Sequence, residues 1–156
     1  MSTPNEQLSR MGRTADDLAA TLRGQSETGV SKRPAENAWA AKEIVCHLRD
    51  TEDLFMSRFR SILDENEPKL SPPANNDAVA AEQGYLKDDV GKALEAFRGR
   101  RQANLSLLQG LTPEQLERGG MHQTRGRMTI KDFVGVMASH DDNHLDQLKR
   151  ALDGKA

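Results

Sequence analysis

Three histidines have the side-chain type and spacing needed to bind a metal ion. His140 and His144 stand four residues apart, and His47 lies far upstream. On a helix, residues i and i+4 share a face, with Cβ atoms about 5–6 Å apart, so two imidazoles of one helix can reach the same ion. A third histidine from a facing helix would complete a site that keeps one coordination position open for water or substrate, as catalytic zinc sites do.

Four amphipathic segments are predicted to position these histidines. Apolar residues recur at intervals of three and four, which is typical of helices that bury one face. The predicted helices cover about residues 4–23, 40–66, 85–109 and 130–152, and residues 24–38 and 67–84 are predicted loops. No alternation is long enough to indicate a strand. The expected fold class is therefore all-α, a four-helix bundle that forms a single domain over residues 1–156.

The axial positions of the histidines predict the topology of the bundle. His47 lies about seven residues into the second helix, roughly 10 Å, and His144 lies about nine residues, roughly 13 Å, before the end of the fourth. These levels match if the two helices are antiparallel. The long 67–84 connection permits a crossover that makes the second and third helices parallel. An up-down-down-up bundle with a long helix 2–3 crossover is therefore expected.

The same topology predicts where a substrate would bind. The 24–38 loop, Trp39 and the 75–85 segment would converge at the end of the bundle that carries the histidines. Long loops on a rigid scaffold often carry specificity, so Trp39 and Tyr85 are candidate pocket residues, although such a tryptophan more often caps a bundle. Substitutions there are expected to change substrate binding more than metal content. The loop that contains His122 is expected to lie at the opposite end, outside the site.

Two carboxylates on the second helix are candidates for catalysis. Glu43 and Asp50 lie one turn before and one turn after His47. Either could orient an imidazole or act as a general base, whereas the alternatives are a helix-start carboxylate for Glu43 and ordinary surface charge. Gln147, one turn after the last histidine, could form a hydrogen bond within the site or lie on its polar rim.

Composition and charge limit the classes of partner. The net charge of −2 and the pI of about 6.1 do not resemble those of a nucleic-acid-binding protein. No apolar run approaches the roughly 20 residues of a membrane span. The N-terminus lacks the pattern of a signal peptide, and a single cysteine suits a reducing cytosol. We expect a cytoplasmic protein that binds a small-molecule substrate, no nucleic acid and no membrane, with a homodimer left open.

Two segments resemble a known family. The 39–52 segment, which contains His47, is similar to the second-helix signature of the DinB/YfiT-like family, and His140-x-x-x-His144-x-x-Gln147 resembles its fourth-helix motif. The resemblance extends over nearly the whole chain. It implies a four-helix bundle in which the three histidines hold a divalent metal ion, Zn, Ni or Fe.

The resemblance leaves two classes of function open. Members of the family include S-transferases and isomerases that use low-molecular-weight thiols, and many others have no assigned activity. The first hypothesis is a metal-dependent enzyme, either a thiol S-transferase-like protein with such a thiol as a further cofactor or a hydrolase. The second is a non-enzymatic, stress-associated bundle whose metal is structural or incidental. An open coordination position that faces a cavity would favour the enzyme, and a closed site would favour the bundle.

Overall fold

Four long helices form the frame of the structure, a computed structural model that describes residues 3–72 and 75–156. The helices and strands in chain order are α1 (Pro4–Leu22), α2 (Glu27–Ser31), α3 (Ala41–Asp64), α4 (Asn76–Gln83), α5 (Val90–Gln109), α6 (Pro113–Leu116), β1 (Gly119–His122), β2 (Gly126–Thr129) and α7 (Ile130–Leu152), with a 3₁₀ turn at Tyr85–Lys87. The four predicted helices correspond to α1, α3, α5 and α7, which confirms the all-α class. Within the described ranges, no helix is both long and apolar enough to cross a membrane.

Local sequence determines where the long helices begin. The side chains of Thr3, Asp89 and Thr129 accept hydrogen bonds from backbone N–H groups three residues later, at the starts of α1, α5 and α7. The start of α3 differs because Ala40 has no side-chain acceptor. There the carboxylate of Glu43 accepts a hydrogen bond from the backbone N–H of Ala40 at 3.0 Å and stabilises the helix start from within the first turn.

The helix directions agree with the predicted up-down-down-up order. α3 packs between α5 and α7, and α1 packs between α5 and α7 on the other side of the bundle. α3 is parallel to α5 and antiparallel to α7, and α1 is antiparallel to α5. The contacts that fix these directions are Asp50–Arg100 and Glu52–Asn104 between α3 and α5, His47–His140 and Phe55–Phe133 between α3 and α7, and Met11–Arg101 and Asp16–Arg98 between α1 and α5.

Two apolar clusters fill the bundle, and a polar layer lies between them. One cluster joins the C-terminal halves of α1 and α7 to the N-terminal halves of α3 and α5, and the other joins the remaining halves. The polar layer, here called the buried ion layer, takes at least one residue from each long helix. Its members are Thr14, Glu52, Arg101, Asn104 and Asp141, all buried.

The segment from residue 119 to 129 forms a β-hairpin, so the prediction that the chain has no strand is wrong. Its strands have four residues each, too few for an alternation to stand out in the sequence. Close backbone approach forms them instead, since a Cβ on Gly120 would lie 2.8 Å from the carbonyl oxygen of Pro68. The crossover joins the hairpin there, because Met121 N donates to Pro68 O and Leu70 N donates to Met121 O.

The crossover also contains more regular structure than its sequence pattern indicates. α4 lies within the 67–84 connection, of which residues 73 and 74 lie outside the described part of the chain. The third long helix begins after Asp89 and not at Tyr85 as predicted. Gly84 adopts the left-handed conformation, with φ of 65°, and ends α4. Asp89 then provides the side-chain cap from which α5 starts.

Candidate metal centre

Three imidazoles from α3 and α7 meet inside the bundle. The Nε2 atoms of His47 and His140 lie 3.4 Å apart, and those of His140 and His144 lie 3.0 Å apart. One nitrogen from each of the three residues lies within 4.8 Å of the others. Two nitrogens bound at 2.0–2.1 Å to one tetrahedral ion would be separated by about 3.3 Å. The three side chains therefore fit a divalent metal ion, and the level match inferred from the sequence agrees with their positions.

Burial keeps these imidazoles neutral. It lowers the pKa of His47 to about 3, with a further contribution from the two neighbouring histidines. Burial, followed by the nearby His144, lowers the pKa of His140 to about 4. The pKa of His144 is also lowered by burial, although its hydrogen bond to Gln147 opposes the shift. A neutral imidazole has a free lone pair for a metal ion, so the cluster is ready to bind one near neutral pH.

Hydrogen bonds and packing outside the cluster orient two of the rings. Nδ1 of His144 lies 2.7 Å from the side-chain oxygen of Gln147. Because the amide oxygen can only accept, Nδ1 carries the hydrogen and Nε2 is left for the metal. The indole of Trp39 packs against His47, with ring centroids 5.0 Å apart. Of the two roles considered for Gln147, the structure shows the hydrogen bond within the site, and Trp39 contacts the ring of a candidate metal ligand.

A cavity of about 560 Å³ begins at the cluster, a size common among small-molecule sites. His47 and His140 line it, whereas His144 and Trp39 do not. Tyr85 lines it, as expected. The wall is formed by α3, α7, the crossover and the hairpin, with the remaining lining residues Asp50, Thr51, Leu54, Phe55, Arg58, Pro72, Asn76, Val79, His122, Thr124, Arg125, Met128, Phe133 and Val136.

The cavity extends towards the hairpin, which corrects the predicted position of the pocket. His122, Thr124 and Arg125 line it, although this loop was expected to lie outside the site. The hairpin does stand at the other end of the bundle, but the cavity runs along α3 far enough to reach it. No residue of the 24–38 loop lines the cavity, because α2 inserts Val30, 2% exposed, into the apolar cluster and closes that end.

Glu43 has the structural role that its position in the first turn allows. Its buried carboxylate accepts hydrogen bonds from Nε and Nη2 of Arg33 at 2.8 and 2.7 Å. The same carboxylate accepts the hydrogen bond from the backbone N–H of Ala40. Its oxygens are thus directed to the helix start and to an arginine. The catalytic role considered for Glu43 stays a prediction, and it has no support from this geometry.

Asp50 lines the cavity, but its carboxylate is also engaged. It accepts hydrogen bonds from Arg49 at 2.8 and 3.2 Å, from the hydroxyl of Tyr85 at 2.5 Å and from Arg100 at 3.3 Å. Burial favours the neutral acid, yet the hydrogen bonds from Arg49 and Tyr85 lower the pKa of Asp50 below its ordinary value. Asp50 is therefore an ionised, fixed carboxylate that anchors Tyr85, and its catalytic role stays a prediction.

Comparisons with known proteins agree with this site and fold. The sequence profile of the DinB superfamily matches residues 10–148. The chain is 25% identical over 152 residues to the Oceanobacillus iheyensis protein named "Putative metal-dependent hydrolase OB0413", which covers 97% of this chain and 87% of that protein. It is 26% identical over 113 residues to the Bacillus subtilis "Putative metal-dependent hydrolase YfiT", which covers 70% of this chain and 62% of that protein.

Comparison with solved structures also finds the same fold. It is that of YfiT from Bacillus subtilis, described as a probable metal-dependent hydrolase with an unusual four-helix bundle topology. The TM-score is 0.89, with 19% identity, over 100% of this chain and 91% of that chain. At this identity the likeness supports the bundle topology alone.

Proposed function

The chain belongs to the DinB superfamily, and we propose that it is a metal-dependent enzyme whose three-histidine site acts on a small molecule held in the adjoining cavity. The observation that carries this proposal is the position of His47 and His140, which belong to the cluster and also line the cavity. A structural site would be closed by a fourth protein ligand. Among the described residues, no other histidine, cysteine or carboxylate joins the cluster.

The residues around the cluster supply the conditions that such chemistry needs. A divalent ion bound there supplies Lewis acidity, which lowers the pKa of a water molecule or a thiol in contact with it. The neutral imidazoles donate the lone pairs that hold the ion, and Gln147 fixes one of them. Phe55 and Phe133 form an apolar wall beside the histidines. An apolar wall lowers the local dielectric constant beside the histidines, which strengthens electrostatic interactions there.

Hydrolysis is the reaction indicated by the names of the relatives, and it is the first candidate. Transfer of a low-molecular-weight thiol is the second, and the carboxylates near the site favour it. A general base must have a free lone pair for the proton, whereas Asp50 and Glu43 both accept hydrogen bonds from arginines. A thiol, with an ordinary pKa of about 8.5, needs less help to ionise than water does.

The chain's own cysteine does not fit the role of that thiol. Cys46 is fully buried in the apolar cluster, and burial raises the pKa of its thiol to about 12. Its side chain also contacts Asp88, whose negative charge disfavours the thiolate. A reacting thiol would therefore come from a separate small molecule that enters the cavity.

The test is an activity panel on protein purified without a histidine tag and loaded with Zn, Ni or Fe. Ester and amide substrates report hydrolysis, and low-molecular-weight thiols with an aromatic halide electrophile report thiol transfer. We expect one of the two activities, lost on chelation and in His140→Ala, and retained in Arg60→Gln, which changes an exposed arginine of α3. Stoichiometric metal without turnover of either class would favour the non-enzymatic, stress-associated bundle.

A further inference from the structure

Three basic side chains line the part of the cavity that lies away from the histidine cluster. Arg58 comes from α3, and His122 and Arg125 come from the hairpin. We propose that this basic cluster binds an anionic group, a carboxylate or a phosphate, at the end of a small-molecule substrate. The proposal deepens the proposed function, on which it rests only for placing the reacting end of the substrate at the histidines.

Arg58 carries most of the argument because it is a buried charge without a countercharge. It is 6% exposed. Its Nη2 donates to the carbonyl oxygen of Ser71 at 3.0 Å, and its guanidinium lies 5.4 Å from the ring centroid of Phe133. Nε is buried with no partner, and no carboxylate of the described residues forms an ion pair with Arg58.

A buried charge is costly unless it is paired. The other deeply buried arginine of the bundle, Arg101, follows this rule, since it contacts the carboxylates of Glu52 and Asp141 at 2.6 Å each. Arg58 has only a carbonyl oxygen and an aromatic face in the same role. Because Arg58 lines the cavity, an anion that enters the cavity can supply the missing countercharge.

The two hairpin residues complete the cluster, since Arg125 adds a positive charge and His122 adds a neutral hydrogen-bond donor. Nδ1 of His122 accepts hydrogen bonds from the backbone N–H groups of Thr124 and Arg125 at 3.1 and 3.2 Å. Its Nε2 therefore carries the hydrogen and is a donor. Burial, then Arg58 and Arg125, lower the pKa of His122, and burial, then Arg125, lower the pKa of Arg58. Among the described lining residues, Asp50 is the one acidic side chain, and it pairs with Arg49.

The distance along α3 indicates the shape of the ligand. His47 and Arg58 are eleven residues apart on this helix, about 16 Å along its axis. Phe55, Phe133 and Met128 line the cavity as well and provide an apolar stretch. The substrate class that fits is an elongated organic anion, with a reacting group at the histidines, an apolar middle and the carboxylate or phosphate at the basic cluster.

The first experiment separates the basic cluster from the metal. Inorganic phosphate is titrated into metal-free protein by calorimetry at low ionic strength, because bound metal would itself attract phosphate. We expect binding that weakens about tenfold or more in Arg58→Met and in Arg125→Gln, as expected for a lost charge-assisted hydrogen bond. Arg60→Gln is the matched control, since it removes the same charge from an exposed position of α3 and should bind phosphate as the parent does.

The second experiment measures the reach from the histidines. Metal-loaded protein is titrated with alkyl hydroxamates of increasing length that end in a carboxylate or in the matching neutral amide. We expect the acids to bind at least tenfold more tightly than the amides at one range of lengths. This preference should disappear in Arg58→Met, while the amides bind both proteins equally.

The outcomes distinguish failure of this proposal from failure of the proposed function. If the hydroxamates bind but the acids bind no more tightly than the amides, the proposal that the basic cluster binds an anion is wrong, and the metal site is still supported. If phosphate binding depends on Arg58 but no hydroxamate binds, the basic cluster is supported and the proposed metal-dependent function is not. If Arg60→Gln loses as much phosphate binding as Arg58→Met does, the effect comes from net charge alone, and the proposal is wrong. If Arg58 were only structural, Arg58→Met would lower the melting temperature of the free protein, whereas we expect no decrease.

Discussion

The buried ion layer and the histidine cluster lie at neighbouring levels of the same bundle, and both place polar side chains in its interior. In the ion layer, the guanidinium of Arg101 donates to both oxygens of Glu52 and to both oxygens of Asp141. Thr14 adds a hydrogen bond to Asp141 at 2.5 Å. Both carboxylates of that layer share this one guanidinium as their ion-pair partner within the protein.

The histidine cluster has the opposite character. Its Nε2 atoms face one another. The hydroxyl of Thr51 lies 3.5 Å from Nε2 of His47 but donates instead to the carbonyl oxygen of His47, at 2.7 Å. The ion layer is closed to solvent, whereas two of the histidines border a cavity. A polar group that is satisfied within the protein contributes to the fold, and a set of convergent, unsatisfied acceptors indicates a ligand.

The two regions are connected through α7. Asp141 and His140 are neighbours in sequence, so their side chains leave the helix about 100° apart. Asp141 contacts Thr14 of α1 and Arg101 of α5, while His140 faces His47 of α3. The ion layer therefore fixes the rotation of α7 about its own axis, and with it the direction in which His140 points.

The largest effect is expected when the ion layer is broken. Arg101→Met leaves the buried carboxylates of Glu52 and Asp141 without a partner, which should cost about 3–5 kcal/mol of the free energy of unfolding. Urea denaturation measures this loss. Arg98→Met is the control, because Arg98 is a partly exposed arginine of the same helix whose ion pair with Asp16 should contribute less than about 1 kcal/mol. Equal effects of the two variants would contradict the role given to the layer.

Removal of the metal should have a smaller effect. A ligand that binds only the folded state stabilises it by about 2.7 kcal/mol when its free concentration is a hundred times Kd. Chelation should therefore lower the melting temperature but leave the far-UV spectrum of a helical protein, since the apolar clusters and the ion layer do not contain the metal. Complete unfolding in chelator would show that the metal is structural.

Loss of one histidine should abolish stoichiometric metal binding without unfolding the bundle. His47→Ala leaves two histidines on α7, and we expect it to lose stoichiometric metal in elemental analysis of tag-free protein. Its free energy of unfolding should match that of the chelated parent within about 1–2 kcal/mol, because the ring in the chelated protein makes few polar contacts. His122→Gln should keep the metal. Full metal content in His47→Ala would exclude the three-histidine site.

The same contrast explains how much could be predicted from the sequence. His140 and His144 have the spacing of two ligands on one helix face. The levels of His47 and His144 indicate antiparallel second and fourth helices, and the long 67–84 connection completes the predicted topology. Regular 3.6-residue periodicity therefore revealed the frame and the ligands. The ion layer cannot be predicted from the sequence, because a charged residue such as Arg101 on a helix looks the same in sequence whether it faces solvent or a buried carboxylate.

The predicted position of the cavity is wrong for a related reason. Its far wall is built by the hairpin and by the crossover, which contact each other through backbone atoms at Gly120 and Pro68. Such contacts depend on the absence of a side chain and leave no periodic pattern. His122 and Arg58 were therefore assigned no role, although both line the cavity. A glycine pair beside a histidine, Gly119-Gly120-Met121-His122, was the one signal available.

The free energy of unfolding of the metal-free protein should depend on pH through the histidine cluster. The folded pKa of His47 is about 3 and its ordinary value is 6.5, so between these values the unfolded chain binds more protons than the folded one. Stability is therefore lost as the pH falls below about 6.5. His47→Gln should remove about one proton from the slope, roughly 1.4 kcal/mol per pH unit. Urea denaturation of chelated protein at pH 5, 6 and 7 measures it, and an unchanged slope would contradict the burial-driven shift.

The smallest effects are expected at Trp39 and Tyr85. The structure keeps the prediction from sequence for Tyr85 and reverses it for Trp39. Tyr85 lines the cavity and donates to Asp50, whereas Trp39 packs on the ring of His47 outside the cavity wall. Tyr85→Phe should keep the metal and weaken binding of a substrate or a hydroxamate about two- to tenfold, because the ring loses the hydrogen bond to Asp50 that fixes its position in the cavity wall. Trp39→Phe should instead weaken metal binding by a similar factor and change the affinity for the substrate or hydroxamate little.

Competition with a chromophoric chelator measures the metal affinity of both variants, and calorimetry with one hydroxamate measures the ligand affinity. The two quantities should move independently, because the indole touches a metal ligand, whereas the phenol lines the cavity and donates to Asp50. If Tyr85→Phe loses metal as readily as it loses hydroxamate, then the hydrogen bond to Asp50 acts on the histidine cluster itself. In that case the boundary drawn between the cavity wall and the metal ligands would be misplaced at Tyr85.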